Sequence, residues 1–203
     1  MISCICLGPK RSGKTHLLKA LQDNESIDEN TYSTPTNGTS IYNIVFPTNN
    51  HNEEAMKPKP SPPATDANGK QIDSEQMKKK KSLPPLKSIR ILEIGGSMAP
   101  IWRQYFNDVK KLMYVVDTAN LCQISAAGVL FYSILAEPRI QKVRILLVLS
   151  KMDYAYRQMR NEALLMLQMS KLEKEIRQRV TIIEVSPVSK VGLDAIYNWL
   201  KIH

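Results

Sequence analysis

The stretch Gly8-Pro9-Lys10-Arg11-Ser12-Gly13-Lys14-Thr15 limits the architecture more than any other part of the chain. Its spacing, G-x-x-x-x-G-K-T, is that of a loop whose backbone amides cradle phosphate, whose lysine reaches the outer phosphates and whose hydroxyl contacts Mg²⁺. The flanking segments agree. Ile2 to Leu7 is a short apolar run suited to a buried strand, and Thr15 to Gln22 spaces Leu17, Leu18 and Leu21 for one face of a helix. A strand that feeds such a turn and opens a helix points the helix N-terminus at an anion. An ordinary Gly/Ser turn with basic residues would not need that order.

Beyond the first helix and a polar stretch, Thr39 to Phe46 alternates as a strand and ends at Pro47. Residues 47–87 carry Pro58, Pro60, Pro62, Pro63, Pro84 and Pro85 with few large apolar side chains, a composition that cannot bury enough surface to offset ordering. This is expected to be a disordered insertion. Ser88 to Gly96 reads as a strand closing on paired glycines, Pro100 to Phe106 as a short helix, and Ser125 to Leu135 as a longer one. Lys111 to Asp117 and Val143 to Ser150 are continuous apolar runs, suited to strands covered on both faces. Arg157 to Glu175 reads as one helix with Ala163, Leu164, Met166 and Leu167 on its apolar face and methionines filling core. Val180 to Val185 is the last strand, and Gly192 to Ile202 the last helix, with Trp199 and Leu200 packed inward.

Strands alternating with helices predict an α/β fold, a mostly parallel sheet with helices on both faces. The strands on either side of the insertion have no helix between them, so they form one antiparallel edge hairpin. A ligand belongs at the carboxyl ends of the strands. The phosphate loop, Gly95-Gly96, Ser150-Lys151-Met152-Asp153 and Ser186-Pro187 all fall there.

At 203 residues the chain suits one domain with a substantial core. Its 28 basic and 19 acidic residues give a formal charge of +9, but residues 47–87 hold eight lysines against five carboxylates, so much of the excess is local. No nucleic-acid partner is expected on that basis. The run Lys78 to Lys81 reads as solvated charge in a flexible loop. Cys4, Cys6 and Cys122 make an odd count without disulfide or zinc spacing, which fits a reducing, cytoplasmic setting. There is no apolar run of transmembrane length, no leader before the first strand and no lipidation motif, so any membrane contact is expected to be indirect.

Four segments, taken in order, carry a family resemblance: Gly8 to Thr15; Thr34-Pro35-Thr36; Gly95-Gly96 with Pro100-Ile101-Trp102-Arg103-Gln104-Tyr105-Phe106; and Lys151-Met152-Asp153. Together they resemble the Arf-like (ADP-ribosylation-factor-like) small GTPases. The double glycine followed by Trp-Arg-x-Tyr-Phe is specific to that branch, Leu135-Ala136-Glu137 is similar to it, and the form G-G-x-M-x-P-I-W resembles a divergent member. The likeness covers the chain apart from the insertion.

The resemblance implies a single P-loop NTPase domain of the small-GTPase type: three layers, a six-stranded sheet, and one antiparallel edge hairpin. It implies a monomeric GTP/GDP switch with Mg²⁺, working through effector and regulatory proteins and recruited by them to trafficking membranes or the cilium. Lys14 would hold the β- and γ-phosphates, Thr15 and the switch threonine Thr36 would give hydroxyls to Mg²⁺, and Gly96 would offer its amide to the γ-phosphate. Asp153 would accept from guanine N1 and N2 while the stem of Lys151 covers the base. Lys10 lies where the family's side chain comes nearest the γ-phosphate, as an added cation for triphosphate or an internal arginine-finger substitute, or simply as a surface residue. Arg11 reads first as a surface cation.

Departures from the family point the other way. Glu93 stands for an aspartate, Ser97 for the glutamine that orients water, Ser150 for an asparagine and Pro187 for an alanine, and two residues are missing between Gly96 and Pro100. A serine is too short to copy the glutamine's reach, and a proline has no N–H for guanine O6. Slow intrinsic hydrolysis is therefore expected. A pseudo-GTPase scaffold stands as the alternative reading, and a P-loop small-molecule kinase as a third that Lys151-Met152-Asp153 and Trp102 to Phe106 argue against.

Overall fold

The computed structural model describes residues 3–23, 34–46, 87–155, 157–175 and 180–202. The expectation of a disordered insertion falls on residues 47–86, outside the described set.

Six strands make one sheet: β1 (Cys4–Leu7), β2 (Thr39–Val45), β3 (Ser88–Ile94), β4 (Lys111–Asp117), β5 (Arg144–Ser150) and β6 (Val180–Glu184), in the order β2-β3-β1-β4-β5-β6. All neighbours are parallel except β2 and β3, which pair antiparallel from Thr39 opposite Ile94 to Val45 opposite Ser88. The edge hairpin and mostly parallel sheet match the sequence expectation. Parallel strands must be covered on both faces, which explains the absence of alternation in β1, β4 and β5.

The helices are α1 (Lys14–Gln22), α2 (Leu121–Leu135), α3 (Arg157–Met166), α4 (Met169–Glu175) and α5 (Leu193–Lys201). Along β4, Met113 and Val115 join a core with Leu17, Leu18 and Leu21 of α1 and with Ile196, Trp199 and Leu200 of α5. Leu112, Tyr114 and Val116 face the opposite core, with Ile124 and Phe131 of α2, Ala163 of α3 and Leu172 of α4. Helix, sheet and helix thus form three layers. Among the described residues no helix is long and apolar enough to cross a membrane.

Four local expectations need correction. The helix expected over Arg157 to Glu175 breaks after Met166, and Gln168 sits at φ 47°. This turn lets Leu167, Met169 and Leu172 all reach the core, while Met166 is left 39% exposed rather than filling it. Strand β3 ends at Ile94, before the glycines, and a 3₁₀ segment runs from Gly96 to Tyr105 in place of a helix beginning at Pro100. So long a 3₁₀ run is uncommon. It is anchored by Trp102, 2% exposed, whose indole N–H donates to the Gly95 carbonyl at 3.1 Å. Its ring meets Tyr114 edge-on at 6.4 Å, and Tyr114 stacks on Phe131 at 4.9 Å. Finally, α2 begins at Leu121, a turn before the expected start.

Candidate nucleotide site

Because β1, β3, β4 and β5 run parallel, their carboxyl ends open on one side of the sheet. Each ends in a segment that builds the site. A cavity of about 710 Å³ lies there, large enough for a nucleotide. Its wall includes Lys10, Arg11, Ser12, Gly13, Lys14, Thr15, Thr36, Gly96, Ser97 and Lys151, all singled out in the sequence, together with His16 and Glu93. Among the described lining residues, Lys10, Arg11, Lys14 and Lys151 outnumber the one carboxylate, Glu93. The chemistry is that of an anion site.

The loop after β1 is tied down from several sides. The Lys14 ammonium donates to the carbonyls of Gly8 at 2.9 Å and Pro9 at 2.8 Å. An ammonium has three protons, so one N–H remains for a ligand. Lys14 is 5% exposed, and burial pushes its pKa below the usual lysine value, partly offset by Cys6 and Glu93. Gly8 cannot carry a side chain, since a Cβ would lie 2.3 Å from the Val115 carbonyl oxygen. The Ser150 hydroxyl reaches the Ser12 carbonyl at 2.6 Å and the Val116 carbonyl at 2.9 Å, and the Gln123 amide reaches the Lys10 carbonyl at 3.3 Å. Ser150 therefore links β5 to the loop despite its short side chain.

Gly96 presses against this loop. A Cβ there would sit 2.4 Å from the Lys10 nitrogen and 2.6 Å from the Pro9 carbonyl carbon. Gly95 fits as closely against the segment leading into β2, its N–H donating to the Gly38 carbonyl at 2.9 Å, with room for a Cβ denied by the Thr36 carbonyl at 2.4 Å. The paired glycines thus bring the ends of β1, β2 and β3 together.

Three oxygens meet at the far end of the cradle. Thr15 Oγ1 donates to Glu93 Oε1 at 2.6 Å, Thr36 Oγ1 donates to the same oxygen at 3.1 Å, and the two hydroxyls are 3.0 Å apart. Glu93 is 1% exposed. Tyr42 on β2 feels it: burial first, then the Glu93 charge, push the Tyr42 hydroxyl up to about 12. Among the described residues, only two buried side-chain polar atoms lack a partner, Ser12 Oγ and Glu93 Oε2. Both residues line this cavity.

On the other flank, Lys151 at φ 60° lays its ammonium 2.6 Å from Asp117 Oδ2, while Asp117 Oδ1 accepts from the Ala119 N–H at 3.0 Å. Asp117 was not singled out in the sequence, although its place at the end of an apolar strand was visible. Asp153 is exposed in the turn after Lys151 and outside the cavity wall, and Pro187 is buried in the turn after β6. Lys10 and Arg11 are exposed at the rim. Among the described residues no cluster of three His, Cys, Asp or Glu side chains could hold a metal.

Comparison with known proteins agrees with this geometry. Residues 69–203 match the ADP-ribosylation factor family. ADP-ribosylation factor-like protein 16 of Homo sapiens is 24% identical over 98% of this chain and 84% of its own length. ADP-ribosylation factor-like protein 3 of Chlamydomonas reinhardtii is 32% identical over a shorter part, 32% of this chain and 38% of that protein. In fold, the chain is similar to the Arl6 BBS3 small GTPase of Trypanosoma brucei, solved with the nucleotide analogue GppNp, at a TM-score of 0.64 and 14% identity, covering 98% of this chain and 94% of that one.

Proposed function

The chain belongs to the ADP-ribosylation factor family, which makes it an Arf-like small GTPase, and from that premise we propose a guanine-nucleotide switch that binds GTP and GDP with Mg²⁺, engages effectors in its GTP form and hydrolyses GTP slowly. One observation carries this reading: both unpartnered buried side-chain atoms among the described residues belong to the walls of the cavity beside the phosphate loop. Buried polar groups are nearly always paired in a finished site. A ligand is what would pair them.

In this reading Lys14, fixed by two carbonyls, directs its remaining proton to the β- and γ-phosphates, and the helix N-terminus at Thr15 adds backbone donors. Gly96 gives its N–H to the γ-phosphate, which distinguishes GTP from GDP. Thr15 and Thr36 hold Mg²⁺, whose oxygen-seeking character fits their hydroxyls and which, when bound, neutralises charge on the phosphates. Asp117 fixes the ammonium of Lys151 so that its stem lies along the base, and Asp153 accepts from guanine. Ser97 is exposed and too short to orient water as glutamine does, so turnover is slow. The tether from Ser150 to Ser12 supports a working site over an inert scaffold, because it holds the loop where an asparagine would. Recruitment to membranes, if it accompanies this switch, runs through protein partners.

The test is base selection. Asp153→Asn should weaken GDP and favour xanthosine diphosphate, since the xanthine oxygen accepts where guanine donates. Unchanged preference for GDP in that variant would remove Asp153 from the base site.

A further inference from the structure

Among the described residues, five that are not glycine have positive φ, and two of these, Arg11 at 62° and Lys151 at 60°, stand in the wall of the nucleotide cavity. The contact between Lys151 and Asp117 accounts for the second. Nothing comparable accounts for the first. The Ser12 N–H donates to the Pro9 carbonyl at 3.4 Å, which closes a four-residue turn with Arg11 in third place. Positive φ in that place favours glycine or asparagine, because a Cβ there crowds the following carbonyl. Arginine keeps the strained conformation although no carboxylate among the described residues pairs with it. Strain held without a local gain is a mark of functional positions.

The neighbours of Arg11 locate it along a bound nucleotide. Lys10, one residue earlier, has its backbone nitrogen against Gly96 after β3, on the side that faces the γ-phosphate in the switch reading. Ser12, one residue later, is tied through its carbonyl to Ser150 at the end of β5, on the side of Lys151 and the base. Arg11 therefore stands over the middle of the phosphate chain. Of the four lysine and arginine residues in the wall, Lys14 is committed to the carbonyls of Gly8 and Pro9 and Lys151 to Asp117, which leaves Lys10 and Arg11 to meet a ligand's charge from the rim. We propose that Arg11 is a phosphate clamp whose guanidinium, a planar fork suited to two parallel hydrogen bonds, holds the α- and β-phosphates from the solvent side and slows release of the nucleotide. This rests on the nucleotide-switch reading and adds to it a side chain that sets nucleotide lifetime. The α- and β-phosphates are common to GDP and GTP, so the clamp acts on both.

The experiment follows release of a fluorescent GDP, and of a fluorescent non-hydrolysable GTP analogue, from full-length wild type, Arg11→Gly and Arg11→Lys into excess unlabelled nucleotide. Urea unfolding of the nucleotide-free proteins runs beside it. Arg11→Gly should release both nucleotides about tenfold faster or more, by the same factor for each, as expected when charged hydrogen bonds are lost. Its nucleotide-free form should be at least as stable as wild type, since glycine adopts positive φ without strain. Arg11→Lys keeps the charge without the fork and should stay nearer to Arg11→Gly than to wild type. Added salt should speed release from wild type more than from Arg11→Gly. Unchanged release in Arg11→Gly overturns the proposal, makes Arg11 a surface cation and leaves the switch reading standing. A loss confined to the GTP analogue moves Arg11 to the γ-phosphate and overturns its placement. Faster release from a destabilised nucleotide-free protein makes Arg11 a structural part of the loop and also overturns the clamp. If the wild type holds neither nucleotide, the proposal and the switch reading fall together. Should Arg11→Gly not fold, Arg11→Asn, which also tolerates positive φ, carries the same test.

Discussion

Gly96→Ala should uncouple triphosphate recognition from diphosphate binding. The added methyl would stand 2.4 Å from the Lys10 nitrogen, 2.6 Å from the Pro9 carbonyl carbon and 2.9 Å from the Lys10 Cα. All three are backbone atoms, so no side chain can turn aside. One of the two segments must move, and the phosphate loop is the better anchored: Lys14 holds Gly8 and Pro9, Ser150 holds Ser12, and Gln123 reaches Lys10. The Gly96 to Tyr105 segment is fixed mainly further along, at Trp102, with Ser97 exposed between. Gly96 should therefore be the part displaced, and its N–H with it. Losing one hydrogen bond to a charged phosphate costs about 1.5–3 kcal/mol. That is about 10- to 150-fold in affinity for GTP. GDP, which makes no contact with that N–H, should bind within about twofold of wild type. Displacement of a fluorescent GDP by GDP and by a non-hydrolysable GTP analogue measures both, and urea unfolding should show an overpacking cost of about 1–3 kcal/mol. An equal loss for both nucleotides would place the disturbance in the phosphate loop and refute the argument. No loss for either would show that Gly96 does not contact the γ-phosphate.

Other consequences are as direct. Lys14 has its pKa lowered by burial in the free protein, and phosphate favours the ammonium form, so nucleotide binding at a pH above that lowered value should take up a proton. Affinity should then fall as pH rises above it, and the calorimetric enthalpy should depend on buffer; proton release instead would contradict the contact. Ser150→Ala strands the Ser12 carbonyl and should cost about 1–3 kcal/mol of stability in urea unfolding, whereas no change would mean the tether is idle. Gly192→Ala, at φ 80° with its Cβ placed 2.0 Å from the Glu184 carbonyl oxygen, should destabilise by about 2–4 kcal/mol. Single-turnover GTP hydrolysis should run at or below about 10⁻⁴ s⁻¹, and a rate near 10⁻² s⁻¹ would assign an internal catalytic cation, with Lys10 and Arg11 at the rim as the candidates.

The sequence made the framework legible because it rests on local signals. The loop Gly8 to Thr15, apolar runs such as Lys111 to Asp117, and the lack of a helix between β2 and β3 each determine an element without reference to the rest. The break at Gln168 was hidden, since Ala163 to Leu172 keeps helical spacing throughout, and only the demand of the core for Leu167, Met169 and Leu172 together bends it. The extent of the 3₁₀ segment depends on Trp102 reaching Gly95, a contact that composition does not announce. The same holds in the site. Glu93 was visible as a departure from an aspartate, but its meeting with Thr15 and Thr36 joins residues far apart in the chain. Asp117 and Lys151 become partners only because β4 and β5 end side by side.

The central claim is that this cavity holds a guanine nucleotide through Lys14. Isothermal titration of nucleotide-stripped protein with GDP and with ADP, both in Mg²⁺, on the wild type and on Lys14→Ala, tests it most directly. One GDP per chain, little or no ADP, and no measurable binding of either by Lys14→Ala are expected. Equal binding of ADP and GDP, or a Lys14→Ala variant that binds GDP as tightly as wild type, would contradict it.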